Sequence, residues 1–412
     1  MPYIKGYDLW AREIALVAKD NLQFAEIHFP LKNCFEIFLR LKIKEPNQLQ
    51  DKMPRVESKN LFQFPMKGEY DEDVTTFDAE MMKMMFASDE GAEKMTKMME
   101  VVVKNDEESN KTYVNMMRDM MEGTIKSTFD HPTLNTAMQE VEDVTMKIPT
   151  NHDGEFDVPV FRYTPKKLLD HKKPRAAYIY AHGGGVIGMT AASYKPLLSY
   201  YAVDCDVVLF NVDYRLAPET KCPNNVKDFY SVIKYVHDNA ETLGIDKSKI
   251  AIGGESGGGY ICLGSMVLLA QNDEGGLVKL AKPCIPMVDD YCFSDPLAMT
   301  IEEREWYASM RKNWILIAND FEVQKSDPLL FPGKASDELL EKFPPTIMEE
   351  CEFDMFITEA TRITNRIRRA GRLLEFIVVP GAKHGSQMNP ALKCFKTATD
   401  AKKLAFQHYL HN

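Results

Sequence analysis

The chain has 412 residues, 45% hydrophobic and 27% charged, with 22 glycines and 22 prolines. That is ordinary globular composition, and it excludes collagen-like, low-complexity and wholly disordered readings. The formal charge is −11, from 50 basic and 61 acidic side chains, and no basic stripe or basic amphipathic helix stands against it, so no nucleic-acid partner is expected.

The length admits two or three domains, or one large α/β domain with insertions. Charge is uneven along it. Residues 1–150 hold 19 Lys and Arg against 27 Asp and Glu, net −8, and the remainder holds 31 against 34, net −3. The eight cysteines (Cys34, Cys205, Cys222, Cys262, Cys284, Cys292, Cys351 and Cys394) are scattered with no CxxC pair, so free, buried thiols are expected. No apolar run reaches the roughly 18 residues of a membrane span. Lys5, Asp8, Arg12 and Glu13 stand where a signal peptide would be apolar. A soluble cytoplasmic protein without a membrane span follows, a monomer or homodimer, with the sequon Asn110-Lys111-Thr112 as a contrary sign.

The front third is rich in methionine. Of 24 methionines, 16 fall at or before Met146 and 11 lie between Met81 and Met121. The pairs Met81 and Met85, Met95 with Met98 and Met99, Met116 and Met120, and Met117 and Met121 are spaced to share helix faces. Two or three amphipathic helices are expected, broken near Asp89–Glu93 and Asn105–Asn110. They form either a plain helical core or an adaptable apolar wall facing a ligand.

From about residue 140 the period changes. Strands are expected at 141–148, 158–163, 176–182, 206–213, 249–254, 283–288, 345–350 and 374–379. Helices are expected at about 193–204, 225–242, 257–271, 359–370 and 391–410. The later strands are continuous apolar runs, as in Val207-Val208-Leu209-Phe210, which a parallel sheet covered on both faces requires. The alternation predicts a doubly wound α/β domain over 141–412, with 289–325 as a possible insertion over the sheet's C-terminal edge, where ligands of such folds bind.

Gly254-Glu255-Ser256-Gly257-Gly258 fits G-x-S-x-G between the strand 249–254 and the helix 257–271. A sharp strand-to-helix turn lifts a serine hydroxyl out of the sheet, and the flanking glycines leave it uncovered. Upstream, the strand at 176–182 runs into His182-Gly183-Gly184-Gly185. Backbone N–H groups there, with that of Gly257 at a helix N-terminus, could converge on one oxyanion. The same residues satisfy G-x-G-x-x-G over 183–188, with Asp204 and Asp206 near the ribose-binding distance; a dinucleotide site would require that glycine run to open a helix.

A serine nucleophile needs a base, and the base an orienting carboxylate, in the chain order Ser, acid, His. After Ser256 the histidines are His384, His408 and His411. His384 follows the strand at 374–379, whereas His408 and His411 fall in a terminal helix and are expected to be solvated. Asp354, in the turn after the strand at 345–350, is the favoured acid over Asp289 and Asp290. Glu352 is a supporting acceptor.

The motifs at 182–185, Asp213-Tyr214-Arg215-Leu216-Ala217-Pro218-Glu219, Gly254–Gly258, Glu352-Phe353-Asp354, and Pro380-Gly381 leading to His384-Gly385 occur in one order. In this the chain from about 140 onward resembles the hormone-sensitive-lipase-like branch of the α/β-hydrolases, which includes arylacetamide-deacetylase-like carboxylesterases. The resemblance implies an α/β-hydrolase fold with a mostly parallel eight-stranded sheet flanked by helices, and Ser256, Asp354 and His384 as the triad. It implies Gly183, Gly184 and Gly257 as the oxyanion hole, with His182 fixing the glycine loop. Residues 1–140 would be an acidic, Met-rich helical cap region. Three motifs depart from the family's pattern: Glu255 replaces the usual Asp, and Asp354-Met355-Phe356 and His384-Gly385-Ser386 replace Asp-Pro-Leu and His-Gly-Phe. The expected activity is hydrolysis of small to medium apolar or aromatic esters through an acyl-enzyme. Amide or carbamate cleavage by the same triad and a non-catalytic ligand-binding role are the alternatives. No cofactor and no metal are expected.

Overall fold

Eight strands form in the eight places where β-rich runs predict them: β1 Val141–Thr150, β2 Phe156–Pro165, β3 Arg175–Ala181, β4 Val208–Val212, β5 Ile245–Glu255, β6 Leu280–Cys284, β7 Thr346–Phe353 and β8 Leu373–Lys383. The structure is a computed structural model. It describes residues 100–150, 156–170, 173–290 and 301–412, those of 301–308 as backbone, with residues 73, 74, 97, 98 and 152 besides. The chain divides after Phe64, and every described residue belongs to the second unit, Pro65–Asn412. The expectations for Met81, Met85, Met95, Met99 and 291–300 lie outside the described residues.

The strands make one sheet in the order β1-β2-β4-β3-β5-β6-β7-β8. β2 runs antiparallel to both its neighbours, and the pairs from β4 through β8 are parallel. β6 begins at Leu280 rather than at 283. Its ladder ends because Ile285 takes a φ of +39° and Pro286 has no N–H to donate.

Alternate residues of the central strands feed two cores, as the period of two demands. Ile179, Phe210 and Ile252 face one, with the helices α4 Asn224–Asp238, α5 Gly257–Gln271 and α7 Ile357–Arg369 packed over them. Tyr178, Tyr180 and Leu209 face the other, under α3 Lys195–Asp204 and α8 Lys393–Ala405. α5 is buried from Gly257 to Ala270, which explains why its sequence carries no polar face.

The Met-rich region contributes α1, Glu107–Phe129, and α2, Pro132–Gln139. The acidic break at 105–110 is the start of α1: Asp106 caps it by accepting from the Ser109 N–H at 2.9 Å, and Glu107 and Glu108 suit the positive end of the helix dipole. Met117 is buried in the first core, and Met120 and Met121 pack at its margin. Within 289–325 the described part contains α6, Ile301–Ile317. The terminal helix is less solvated than expected: His408 is exposed, but His411 Nε2 lies 2.8 Å from the Cys205 carbonyl oxygen.

Candidate active site

β5 ends at Glu255 and α5 begins at Gly257, leaving Ser256 with φ +56° and ψ −116°. A side chain there is strained, and it persists only where the surroundings over-determine it. Its N–H donates to the Cys284 carbonyl at 3.1 Å, and its own carbonyl accepts from Tyr260 N at 3.0 Å and Met287 N at 3.3 Å. The turn closes so tightly that a Cβ at Gly258 would stand 2.0 Å from the Ala181 carbonyl oxygen, and one at Gly254 2.5 Å from the same atom. Glycine is needed at both positions for that approach.

Three strand ends converge at the C-terminal edge of the sheet. His384, one residue past β8, has Nε2 2.9 Å from Ser256 Oγ and Nδ1 2.8 Å from Asp354 Oδ2. Asp354, one residue past β7, is buried and accepts the Phe356 N–H on Oδ1 at 2.8 Å. The Phe356 ring meets the imidazole edge to face at 5.2 Å. Glu352 Oε2 accepts the Gly381 N–H at 2.9 Å, which ties β7 to the segment leading to His384. The other acids lie elsewhere: Asp290 pairs with Lys334 at 2.6 Å, and Asp289 packs against Gly333. Such an arrangement can pass a proton from a serine hydroxyl to an imidazole held by a carboxylate.

The glycine loop follows β3. His182 is fully buried, stacks on Tyr214 at 4.5 Å, and keeps Nδ1 2.8 Å from the Gly183 carbonyl oxygen, while Tyr214 Oη donates to the His182 carbonyl at 2.7 Å. Burial lowers the His182 pKa against the pull of Asp213 and the Gly183 carbonyl, which favours a neutral ring. Gly184 and Gly185 have φ of +102° and +59°. A Cβ at Gly257 would stand 2.7 Å from Gly185 N and 2.6 Å from Val186 N, whereas Gly183 is backed by the Tyr194 hydroxyl, 2.5 Å from its Cβ position. The stretch 183–188 forms a turn, and no helix opens until Ala192, so it lacks the helix a dinucleotide fingerprint requires.

Sequence reasoning missed a buried ionic cluster behind the serine. Glu255, Lys282, Glu349 and Lys402 are all almost fully buried. Lys282 pairs with Glu349 and lies 3.3 Å from Cys284 Sγ. Lys402 Nζ sits 3.3 Å above the Tyr201 ring centroid and 3.6 Å from Glu255 Oε1. Burial pushes the Glu255 carboxyl up to about 7, with Lys402 pulling it down, and Oε2 has no hydrogen-bond partner among the described residues. Two further buried acids lie close enough to Asp354 to feel its charge. Burial, then Asp354 and Glu359, push the Glu350 pKa up; burial, then Asp289, push up that of Glu359, which accepts the Val288 N–H at 3.1 Å. The available signal was charge inside apolar runs: Lys282 follows Leu280-Ala281, and Glu349 and Glu350 follow Ile347-Met348.

A mostly parallel eight-stranded sheet with a serine at a strand-to-helix turn defines a class, the α/β-hydrolases. A family model described as the alpha/beta hydrolase fold matches residues 178–388, just over half of the chain, and the chain belongs to this family. Among characterised relatives, a carboxylesterase of Mycobacterium tuberculosis is 37% identical over 110 residues, 27% of this chain and 34% of that protein. The chain thus spans about a third of that relative's length. An arylesterase of Saccharolobus solfataricus is 27% identical over 56% of this chain and 72% of its own. Among solved structures, a bacterial heroin esterase superposes with a TM-score of 0.62 at 26% identity, over 71% of this chain and 90% of that one. A thermostable carboxylesterase from a metagenomic library, at 24% identity and a TM-score of 0.61 over 72% and 97%, supports the fold. Among the described residues, no helix is long and apolar enough to cross a membrane, and no cluster of three or more His, Cys, Asp or Glu is arranged to hold a metal ion.

Proposed function

We propose that the protein is a serine carboxylesterase acting on small to medium apolar or aromatic esters. The observation that carries the reading is the His384 bridge, 2.9 Å to Ser256 and 2.8 Å to Asp354. In the first half-reaction Ser256 Oγ attacks the ester carbonyl as its proton passes to His384 Nε2, and Asp354 holds the imidazolium through Nδ1. The carbonyl oxygen becomes an oxyanion. His384 then protonates the departing alcohol, and water releases the acid from the acyl-enzyme by the same steps.

Gly183, Gly184 and Gly257, the donors the resemblance implies, are our assignment for the oxyanion hole; the glycine loop reaches Gly257 closely enough that a Cβ there would stand 2.7 Å from Gly185 N. In this reading α1 and α6 belong to the cap over the site, and 141–412 without α6 is the hydrolase core. The names of the relatives, a carboxylesterase, an arylesterase and a heroin esterase, favour carboxylic esters as substrates.

The test is Ser256→Ala. Turnover of p-nitrophenyl acetate and butyrate should fall to background, and a fluorophosphonate probe should label the parent and not the variant. Turnover retained in the variant would refute the assignment of the nucleophile.

A further inference from the structure

We propose that Arg118, on a helix that precedes the hydrolase sheet, is a positioning residue that holds the glycine loop in its working shape; the inference rests on the esterase reading above. The loop is costly to hold. Gly184, Gly185, Val186 and Met189 have φ of +102°, +59°, +63° and +62°, and two of the four carry side chains that disfavour this region. Its own hydrogen bonds are few: Ile187 N and Gly188 N both donate to the Gly184 carbonyl, at 3.1 and 3.0 Å, and Ala217 N donates to the Val186 carbonyl at 2.8 Å.

Beyond the His182 and Tyr214 contacts at its start, further restraint comes from α1. Arg118 Nε donates to the Ile187 carbonyl at 2.7 Å, and Nη2 donates to the Ala217 carbonyl at 3.2 Å. Nη1 and Nη2 reach the Glu219 carboxylate at 2.9 and 2.7 Å. One planar guanidinium therefore ties the glycine loop to the 213–219 turn that also grips Val186. A lysine, with one point charge on a flexible stem, cannot span these acceptors. The contact is steric as well: a Cβ at Gly188 would stand 3.0 Å from Met121 Sδ and 3.5 Å from Arg118 Cγ.

A second contact from the same helix reaches the loop through α6. Tyr113 Oη donates to Asn313 Oδ1 at 2.8 Å, which orients the amide. Asn313 Nδ2, buried and without a partner among the described residues, then stands 2.7 Å from the Cβ position of Gly185. α1 thus holds the loop directly through Arg118, and through Tyr113 it orients the α6 residue Asn313 that packs on Gly185. Because the oxyanion donors matter through their placement on a charge that develops in the transition state, loosening them lowers kcat more than it raises KM.

The experiment compares the full chain with Arg118→Ala, Arg118→Lys and Tyr113→Phe on p-nitrophenyl esters, with active sites counted by fluorophosphonate titration. Arg118→Ala should lower kcat per titrated site about a hundredfold, the scale of an ångström of misplacement, with KM changed less than about threefold. A trifluoromethyl ketone, which mimics the tetrahedral adduct, should bind more weakly by the same factor as kcat/KM falls. Added methylguanidine should restore part of the activity of Arg118→Ala. Arg118→Lys should fall between, and Tyr113→Phe should lose about tenfold with the same split. A kcat per titrated site that is unchanged in Arg118→Ala and Tyr113→Phe, even with a lower melting temperature, would overturn the proposal and leave these contacts structural. A parent chain that is neither labelled nor active would overturn the esterase reading itself, and the proposal with it.

Discussion

Asp354→Asn is the sharpest test of the site, because the structure dictates which way the new amide must face. The Phe356 N–H points at Oδ1 from 2.8 Å and needs an acceptor, so the asparagine carbonyl is held there and its NH2 group is turned to His384 Nδ1. Nδ1 then has to accept, the ring proton moves to Nε2, and Nε2 can no longer take the proton of Ser256, 2.9 Å away. In serine proteases the corresponding change lowers kcat about 10⁴-fold, equivalent to about 5 kcal/mol of barrier. A loss of that order is expected here in kcat per titrated site on p-nitrophenyl acetate, with the fold intact by circular dichroism. Asp354→Ala should be no more impaired than Asp354→Asn, because it leaves the tautomer free. A kcat for Asp354→Asn within tenfold of the parent would refute the claim that Asp354 acts by fixing the imidazole.

Gly258→Ala should destabilise the chain by about 3 kcal/mol or more, because its Cβ would meet the Ala181 and His182 carbonyl oxygens at 2.0 and 2.5 Å. An unchanged denaturant midpoint would contradict that close approach. Glu255 gives a pH test. Its carboxyl is raised to about 7 in the folded chain from an ordinary value of 4.5, so the folded state binds the extra proton between those limits. The stability this contributes is complete below pH 4.5 and is lost as pH rises through 7. The stability of the parent relative to Glu255→Gln should therefore fall between pH 5 and 8 by an amount on the order of a few kcal/mol. A difference independent of pH would show that Glu255 stays ionised beside Lys402.

What could be read from the sequence was what neighbouring residues impose on one another. The strands follow from β-rich runs, the later ones continuously apolar, α5 from the glycines that open it, and the placement of Ser256, Asp354 and His384 from their position at strand ends. What could not be read was set by contacts between distant segments. Arg118 and Ile187 are far apart in sequence, and nothing in the Met-rich spacing of α1 foretells that its one arginine points at a loop. Lys402 is a lysine in an amphipathic helix, a setting that reads as solvent-facing, yet it lies beneath the sheet against Tyr201 and Glu255. The expected β6 is displaced because Lys282 interrupts the apolar run near its start, while apolarity continues through Met287 and Val288 after the ladder has ended.

The three groups at the site come from the ends of β5, β7 and β8, and among the described strands β8 is both the outermost on its side of the sheet and the last in chain order. A chain folding from its N-terminus can build most of its two cores, and position the serine, while it still lacks the imidazole. On the proposed mechanism, hydrolysis requires β8 to be docked, so recovery of activity during refolding would time that step of assembly rather than the collapse before it.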